Sequence, residues 1–399
     1  MIDSFCRRQT GIIFASAFAL LLTACGGGGS QNSHLPPPAP AVIALPTNTD
    51  AADNANLANN IWTINADDSS PRELTNYQGD ADVTAQALEP FWSPDGSRIA
   101  YVSDGAFDGS NTLANYYYFW VMNADGSGKT PLPNVGPADY TVVGNSADWS
   151  HDGTKLAVTA NQLGIYTMNA DGSSPNLVFS PGLGAVWSPD DTKLAFASAN
   201  NIWTVHADGT SATQLTSIST TGALVANAPV WSPDGTRLAF NVSNLSGSGG
   251  FTIQVMNADG SNLKSYNGST YFRSNMIGRV VNWSPDGSKL TFNSTAALNG
   301  GGPDGNALNI WVMNADGTSA KPLTQYTANG VAVYVPAWSA DGKKIAFLSN
   351  AALDGSNAPS LSTWCVWTVN ADGSSSTPLS ATANGSGWNT YWLQPSWKP

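Results

Sequence analysis

The sequence predicts an all-β fold, a β-propeller of seven four-stranded blades, and three observations carry that expectation. Two short motifs each recur seven times along the 399 residues. Their spacing is regular: Asn65 to Asn370 and Trp92 to Trp397 both span 305 residues over six intervals, a mean of about 51, and several short strands repeating at 40 to 50 residues are the signature of propeller blades. The stretches between motifs alternate or run apolar at strand length, as in Arg98-Ile99-Ala100-Tyr101-Val102.

The first motif is an apolar strand running into Asn-Ala-Asp-Gly. It ends at Asn65, Asn123, Asn169, His206, Asn257, Asn314 and Asn370. The second is Trp-Ser-Pro-Asp-Gly-Ser/Thr-Lys/Arg, beginning at Trp92, Trp149, Trp187, Trp231, Trp283, Trp338 and, truncated, Trp397. Pro presets φ, Asp stabilises the turn and Gly tolerates positive φ, which suits a type I turn closing through a G1 bulge. Asp68 and Asp191 replace the Gly with a residue that tolerates the left-handed region better than most. Two such hairpins per unit make four strands.

The chain ends bear on blade number. Six complete units run from Trp92 to about Leu379. The segments from Val42 and from Asn60 match the second and third strands of a unit, so the front offers three strands, and Tyr391 to Trp397 offers the missing innermost one. A seventh blade shared by both termini closes the ring without an open edge. Six blades are the alternative.

Residues 1–24 read as a leader. Arg7 and Arg8 precede an apolar run from Gly11 to Leu22, shorter than the roughly 20 residues of a spanning helix. Leu22-Thr23-Ala24-Cys25 resembles the lipobox of bacterial lipoproteins, which implies a diacylated Cys25 as the mature N-terminus. Gly26, rather than Asp, follows the cysteine, and in that family this favours the outer membrane. An ordinary secretory signal cut near Ala24 is the alternative. Residues 25–40, rich in Gly and Pro, form a tether, and residues 41–399 form the propeller. Cys365 then stands alone in the mature chain, beside Val366 and Trp367, as a buried inert thiol.

Composition narrows the function. Net charge is −12, or −13 once Asp3, Arg7 and Arg8 leave with the leader, so nucleic-acid binding through displaced counterions is disfavoured. Only 11% of residues are charged, and the stock of His (3) and Cys (3) is thin for catalysis. Twelve of 15 Trp and 13 of 28 acids sit at repeat positions, where they serve the scaffold. The Lys/Arg at 98, 155, 193, 237, 289 and 344 share one place after the turn and are expected as a solvated rim. His151 and His206 replace motif residues and lack a second ligand at metal spacing. No Gly-x-Ser-x-Gly elbow or P-loop is present.

Length variation picks out a face. From motif Trp to the next motif Asn or His the gap runs from 19 to 32 residues, and from there to the next Trp from 18 to 27, while the turns scarcely vary. Both variable connections lie on the side opposite the tight hairpins, and variable loops on a rigid scaffold are where function resides. The long second-to-third-strand loops, 293–308, 349–363, 46–59 and 103–117, fall on consecutive blades. They carry Asp108, Asn111, Asp304 and Asp354, residues for Asx-type turns or, alternatively, Ca²⁺. No other cofactor is expected. Aromatic residues gather in the same connections: Tyr77, Tyr116, Tyr117, Tyr271, Tyr326 and Trp388 among them, with Arg273. They read equally as a carbohydrate or peptide surface and as plugs of the channel mouth.

Ile-Trp-Val-Met-Asn-Ala-Asp-Gly (Ile310 to Gly317) and Trp-Ser-Pro-Asp-Gly-Ser-Lys-Leu (Trp283 to Leu290) resemble the TolB-type propeller repeat. The resemblance covers nearly all of the chain after the tether, although that family's propeller has six blades and a separate N-terminal domain. The lipobox-like segment sets the expected location, an outer-membrane lipoprotein of the bacterial envelope on its periplasmic or surface face. The expected function is a monomeric, lipid-anchored, non-catalytic scaffold binding an envelope protein or glycan through its variable-loop face and touching the membrane through its anchor alone. The alternative is a polysaccharide-active, lyase-like enzyme with a metal or carboxylate site at the channel mouth, since oligogalacturonate lyases have similar repeats; that resemblance implies clustered His and a metal.

Overall fold

The computed structural model describes residues 41–47, 59–77, 86–105, 113–132, 135, 147–160, 164–218, 224–244, 251–266, 281–294, 307–353, 359, 364–379 and 395–399. They form seven four-stranded antiparallel sheets, each in simple meander order. Blade 1 shows the pattern: Ala87–Trp92, Arg98–Gly105, Leu113–Asn123 and the short outer strand Thr130–Pro131. Blades 2 to 6 span residues 147–179, 183–214, 224–266, 281–322 and 333–378.

Blade 7 is assembled from both ends of the chain. Ser396–Trp397 lies beside Val42–Thr47, which pairs with Asn60–Asn65, which pairs with Arg72–Glu73. Ile43 stands opposite Trp397 and Ala44 opposite Ser396. Lys398 N–H donates to the Val42 carbonyl at 2.8 Å, fixing the last strand. The seven-blade expectation and its shared closing blade therefore hold, and the six-blade alternative does not.

The turns follow from their residues. Gly96 takes φ +65° and its N–H donates to the Ser93 carbonyl at 2.8 Å. Asp95 Oδ1 accepts from Ser93 Oγ at 2.6 Å and from Ser97 N–H at 3.0 Å. These hydrogen bonds hold the Asp95 carboxyl down at about 2, the Ser93 hydroxyl being the largest cause. In the other hairpin Asn123 Nδ2 donates to Ser127 Oγ and Ser127 N–H to Asp125 Oδ1, both at 3.0 Å. Asp68 and Asp191 occupy the left-handed region at φ 68° and 57°, as expected of Gly substitutes.

A blade buries two faces, so apolar side chains on alternate positions of each strand meet those of a neighbour. The described core falls into seven clusters, each between consecutive blades. Blade 7 contributes Ala44, Ile61 and Leu74 to the cluster it shares with blade 1, and Ile43, Leu45 and Ile64 to the one with blade 6. Cys365 is buried in the cluster between blades 5 and 6 as a free thiol.

Candidate functional site

The variable connections start and end on one side of the ring, and a recurring latch fastens them. In blade 5, Asn309 opens the third strand; its Oδ1 accepts from Thr324 Oγ1 at 2.9 Å and Tyr326 N–H at 2.8 Å, and its Nδ2 donates to the Tyr326 carbonyl at 3.0 Å. Thr324 Oγ1 in turn accepts from Ile310 N–H. Asn60, Thr75 and Tyr77 repeat the arrangement in blade 7, and Asn201, Thr216 and Ile218 in blade 3. The latch pins the start of the outgoing connection to the third strand, giving the loop side rigid footings. Sequence reasoning missed it, although Leu-Thr-x-Tyr or Leu-Thr-x-Ile stands at 74–77, 215–218 and 323–326.

This latch corrects the expectation for two aromatics. Tyr77 is 7% exposed and Tyr326 is 6% exposed; both belong to blade-to-blade cores rather than to an open binding surface. Their backbone is held by Asn60 and Asn309, and that places each ring inward. The Tyr77 ring lies so close over Gly105 that a Cβ there would meet it at 2.6 Å.

Beside Tyr77, at the loop end of blade 1, sits a buried carboxylate. Asp104 is 8% exposed and accepts the Gln86 N–H; burial, the largest cause, pushes its carboxyl up to about 6, against hydrogen bonds that include the Tyr117 hydroxyl. Tyr117 is half-buried and packs on the core between blades 1 and 2. On blade 6 the half-buried Tyr334 and Trp364 stack with centroids 5.4 Å apart at 20°. Neither Asp104 nor Trp364 stood out in the sequence. Of the other expected site residues, Tyr116 lies in the strand Leu113–Asn123 without a described side chain. Cys25, Asp108, Asn111, Tyr271, Arg273, Asp304, Asp354 and Trp388 lie outside the described residues.

On the opposite, tight-turn side the axial channel opens as a cavity of about 490 Å³, walled by all seven motif Trp. The blades are joined here in two ways. Where the residue before the motif Trp is apolar, its carbonyl accepts the next blade's indole N–H: Trp149 to Phe91, Trp231 to Val186, Trp283 to Val230 and Trp397 to Ala337, at 2.8 to 3.3 Å. Where it is polar, its side chain makes the junction instead. Asp148 Oδ2 accepts from Trp187 N–H at 2.8 Å, Ser396 Oγ from Trp92 N–H at 3.4 Å, and Asn282 Nδ2 donates to the Pro336 carbonyl at 2.6 Å. Among the seven motif Trp, the indole N–H groups of Trp92, Trp187 and Trp338 are the ones buried without a hydrogen-bond partner. One residue identity thus selects one of two couplings.

The two motif departures on this side face one another. In blades 2, 4, 5 and 6 the turn Gly sits over the preceding blade's Pro, as Gly235 on Pro189 and Gly287 on Pro233, while Gly96 of blade 1 packs against Lys398. At the junction of blades 2 and 3 these become Asp191 and His151. Asp191 accepts the backbone N–H of His151 at 2.6 Å and of Asp152 at 2.9 Å, and lies 3.3 Å from His151 Nδ1. His151 is therefore a junction residue.

The rim cations also need correction. Arg98 and Arg237 are half-buried clamps rather than solvated side chains. Arg98 stacks on Trp149 with Cζ 4.9 Å from the ring centroid and donates to the Gly153 carbonyl at 2.9 Å. Arg237 does the same to Trp283 and Gly287, at 4.6 and 3.2 Å. Among the described residues no group of three or more His, Cys, Asp or Glu is placed to hold a metal ion.

No protein-family model matches the sequence, and no curated protein matches it. Solved structures do. The chain is similar to an oligogalacturonate lyase in complex with manganese (17% identity, TM-score 0.53, covering 84% of this chain and 83% of that one). It is also similar to oligogalacturonate lyase from Vibrio parahaemolyticus (12% identity, TM-score 0.51, 78% and 83%). TolB from Acinetobacter baumannii aligns over 90% of this chain and 67% of that one at 14% identity and TM-score 0.49. At these identities the likeness is one of fold.

Proposed function

We propose that the chain is a lipid-anchored propeller of the bacterial envelope that acts by binding, taking a protein or glycan partner on its variable-loop side. One observation carries this reading. The polar groups at the axial mouth are already committed to holding blades together, and what remains is a broad wall of Trp and Pro. The single carboxylate among the described lining residues, Asp148, accepts a backbone N–H. A hydrolytic or eliminative site needs acid and base groups within reach of a substrate.

We assign the lipid anchor to Cys25, at the head of the tether. Ala41 and Val42 enter the ring at its turn side, where the Ala41 carbonyl accepts from Ala66 N–H at 2.8 Å. The contact residues we assign to the loop side are Tyr116, Tyr117, Tyr271, Arg273 and Trp388, with Asp108, Asn111, Asp304 and Asp354. The Asp and Asn side chains of those loops are also the ones we would assign to Ca²⁺.

A Cys25→Ala chain, soluble after secretion, tests the reading by affinity capture from envelope extract. The expected result is a retained protein or glycan that is lost in the triple Tyr116→Ala, Tyr271→Ala, Trp388→Ala variant at unchanged melting temperature. Unfolding of that variant refutes the surface role of those rings. The second reading, a polysaccharide-active enzyme, is supported by the fold shared with the lyases and by the near-neutral carboxyl of Asp104; its sign is shortened polysaccharide, with the activity lost in Asp104→Asn.

A further inference from the structure

The turn side carries a second surface, separate from the loop side, and the repeat itself shows what fits it. Two of the seven blade junctions are closed by an arginine from the start of the second strand. Arg98 and Arg237 each lay a guanidinium on the next blade's motif Trp and donate to that blade's turn Gly carbonyl. Both Trp, 149 and 283, are buried beneath them.

At the junction of blades 3 and 4 the equivalent residue is Lys193, which is exposed. A notch of about 310 Å³ stands there, lined by Lys193, Trp231, Gly235, Asp190 and Asp234. Trp231 is half-buried, unlike its Arg-covered counterparts, and its indole is held by the bond to the Val186 carbonyl at 3.3 Å, so the ring face is fixed in place. Gly235 occupies the place of Gly153 and Gly287. Asp190 and Asp234 line the notch on either side, each carboxyl held below the ordinary carboxylate range chiefly by a serine hydroxyl, Ser188 and Ser232; both are therefore ionised at neutral pH.

We propose that this notch is a docking site for the guanidinium of an arginine side chain on a protein partner, stacked on Trp231 and donating to the Gly235 carbonyl. The internal copies supply the geometry, and the two carboxylates supply the charge complementarity. A guanidinium suits the place better than an ammonium: Arg98 and Arg237 lie 4.9 and 4.6 Å from their Trp centroids and each donates to a Gly carbonyl, whereas Lys398 lies 5.4 Å from the Trp92 centroid. Lys193, exposed at the start of its strand, leaves the place open.

The test follows the Trp231 indole N–H resonance, assigned with Trp231→Phe, in the purified full chain during titration with N-acetyl-arginine amide and N-acetyl-lysine amide. The arginine probe is expected to shift this resonance to saturation, with a midpoint roughly tenfold below that of the lysine probe. Lys193→Arg is expected to displace the resonance without probe and to abolish the titration, because the chain's own guanidinium then fills the notch as Arg98 and Arg237 fill theirs. No response to the arginine probe, an equal response to lysine, or an unaltered titration in Lys193→Arg overturns the proposal. None of these outcomes bears on capture by the loop side, so the two readings fail separately.

Discussion

Replacing Asn309 with Ala removes the latch that fastens the loop side of blade 5. The side chain is 2% exposed and makes three hydrogen bonds, two through Oδ1 and one through Nδ2. At a net value of about 1 kcal/mol each they amount to about 3 kcal/mol. The Tyr326 N–H and carbonyl are then stranded beside a buried ring, which takes the expected loss toward about 5 kcal/mol. Against a total stability of about 5–15 kcal/mol this is a large fraction. Urea unfolding followed by tryptophan fluorescence reads it as a lower midpoint at unchanged slope. Asn201→Ala serves as a comparison: its Oδ1 holds Thr216 Oγ1 and Ile218 N–H at 2.9 and 2.7 Å, so it should lose stability on the same scale. A loss under about 1 kcal/mol in both variants refutes the latch as a structural footing.

Three further outcomes follow from the same geometry. Arg237→Ala removes a cation–π stack and a bond to Gly287, and should lower stability by about 1–2 kcal/mol in thermal unfolding, whereas a solvated rim residue would change nothing. Asp104 has a folded-state carboxyl raised to about 6 from the ordinary 3.8, so ionising it disfavours the fold and wild-type stability falls as pH rises through about 4 to 6; Asp104→Asn should gain up to roughly 3 kcal/mol on wild type across that window and hold the gain above it, as read from parallel denaturation series. Deleting residues 395–399 strips the closing strand with Trp397 and its bond to Ala337, exposing the edge at Ile43 and Ala44; size-exclusion chromatography should show association or broadened unfolding, and an unchanged monomer would show that closure is dispensable.

Much of the ring was legible because its turns are local. Pro94-Asp95-Gly96 and Ala124-Asp125-Gly126 encode φ preferences and carboxylate bonds within a few residues, and the two chain ends matched strands of the complete units. The latch was not legible in that way. Asn309 and its partners lie 15 and 17 residues apart across the outer strand, and nothing at either place alone distinguishes a footing from a loop polar residue. For that reason the sequence leaves Tyr77 and Tyr326 equally open as surface aromatics and as plugs of the channel mouth. The clamp role of Arg98 and Arg237 depends on a neighbour about 50 residues on, where a basic residue after a turn reads locally as solvated. The junction pair His151 and Asp191 was visible as two departures from the repeat, but only the ring sets them face to face. Asp104 stayed hidden because its carboxyl is shifted by burial, which strand alternation does not encode.

The proposed function is recognition of a partner that is left chemically unchanged. The most direct measurement is the mass of the captured partner, compared before and after prolonged incubation with the wild-type chain. The account predicts a partner bound through the loop side and recovered intact, with the same mass as from the Asp104→Asn chain. A shortened glycan or cleaved protein in the wild-type sample, absent with Asp104→Asn, would contradict it.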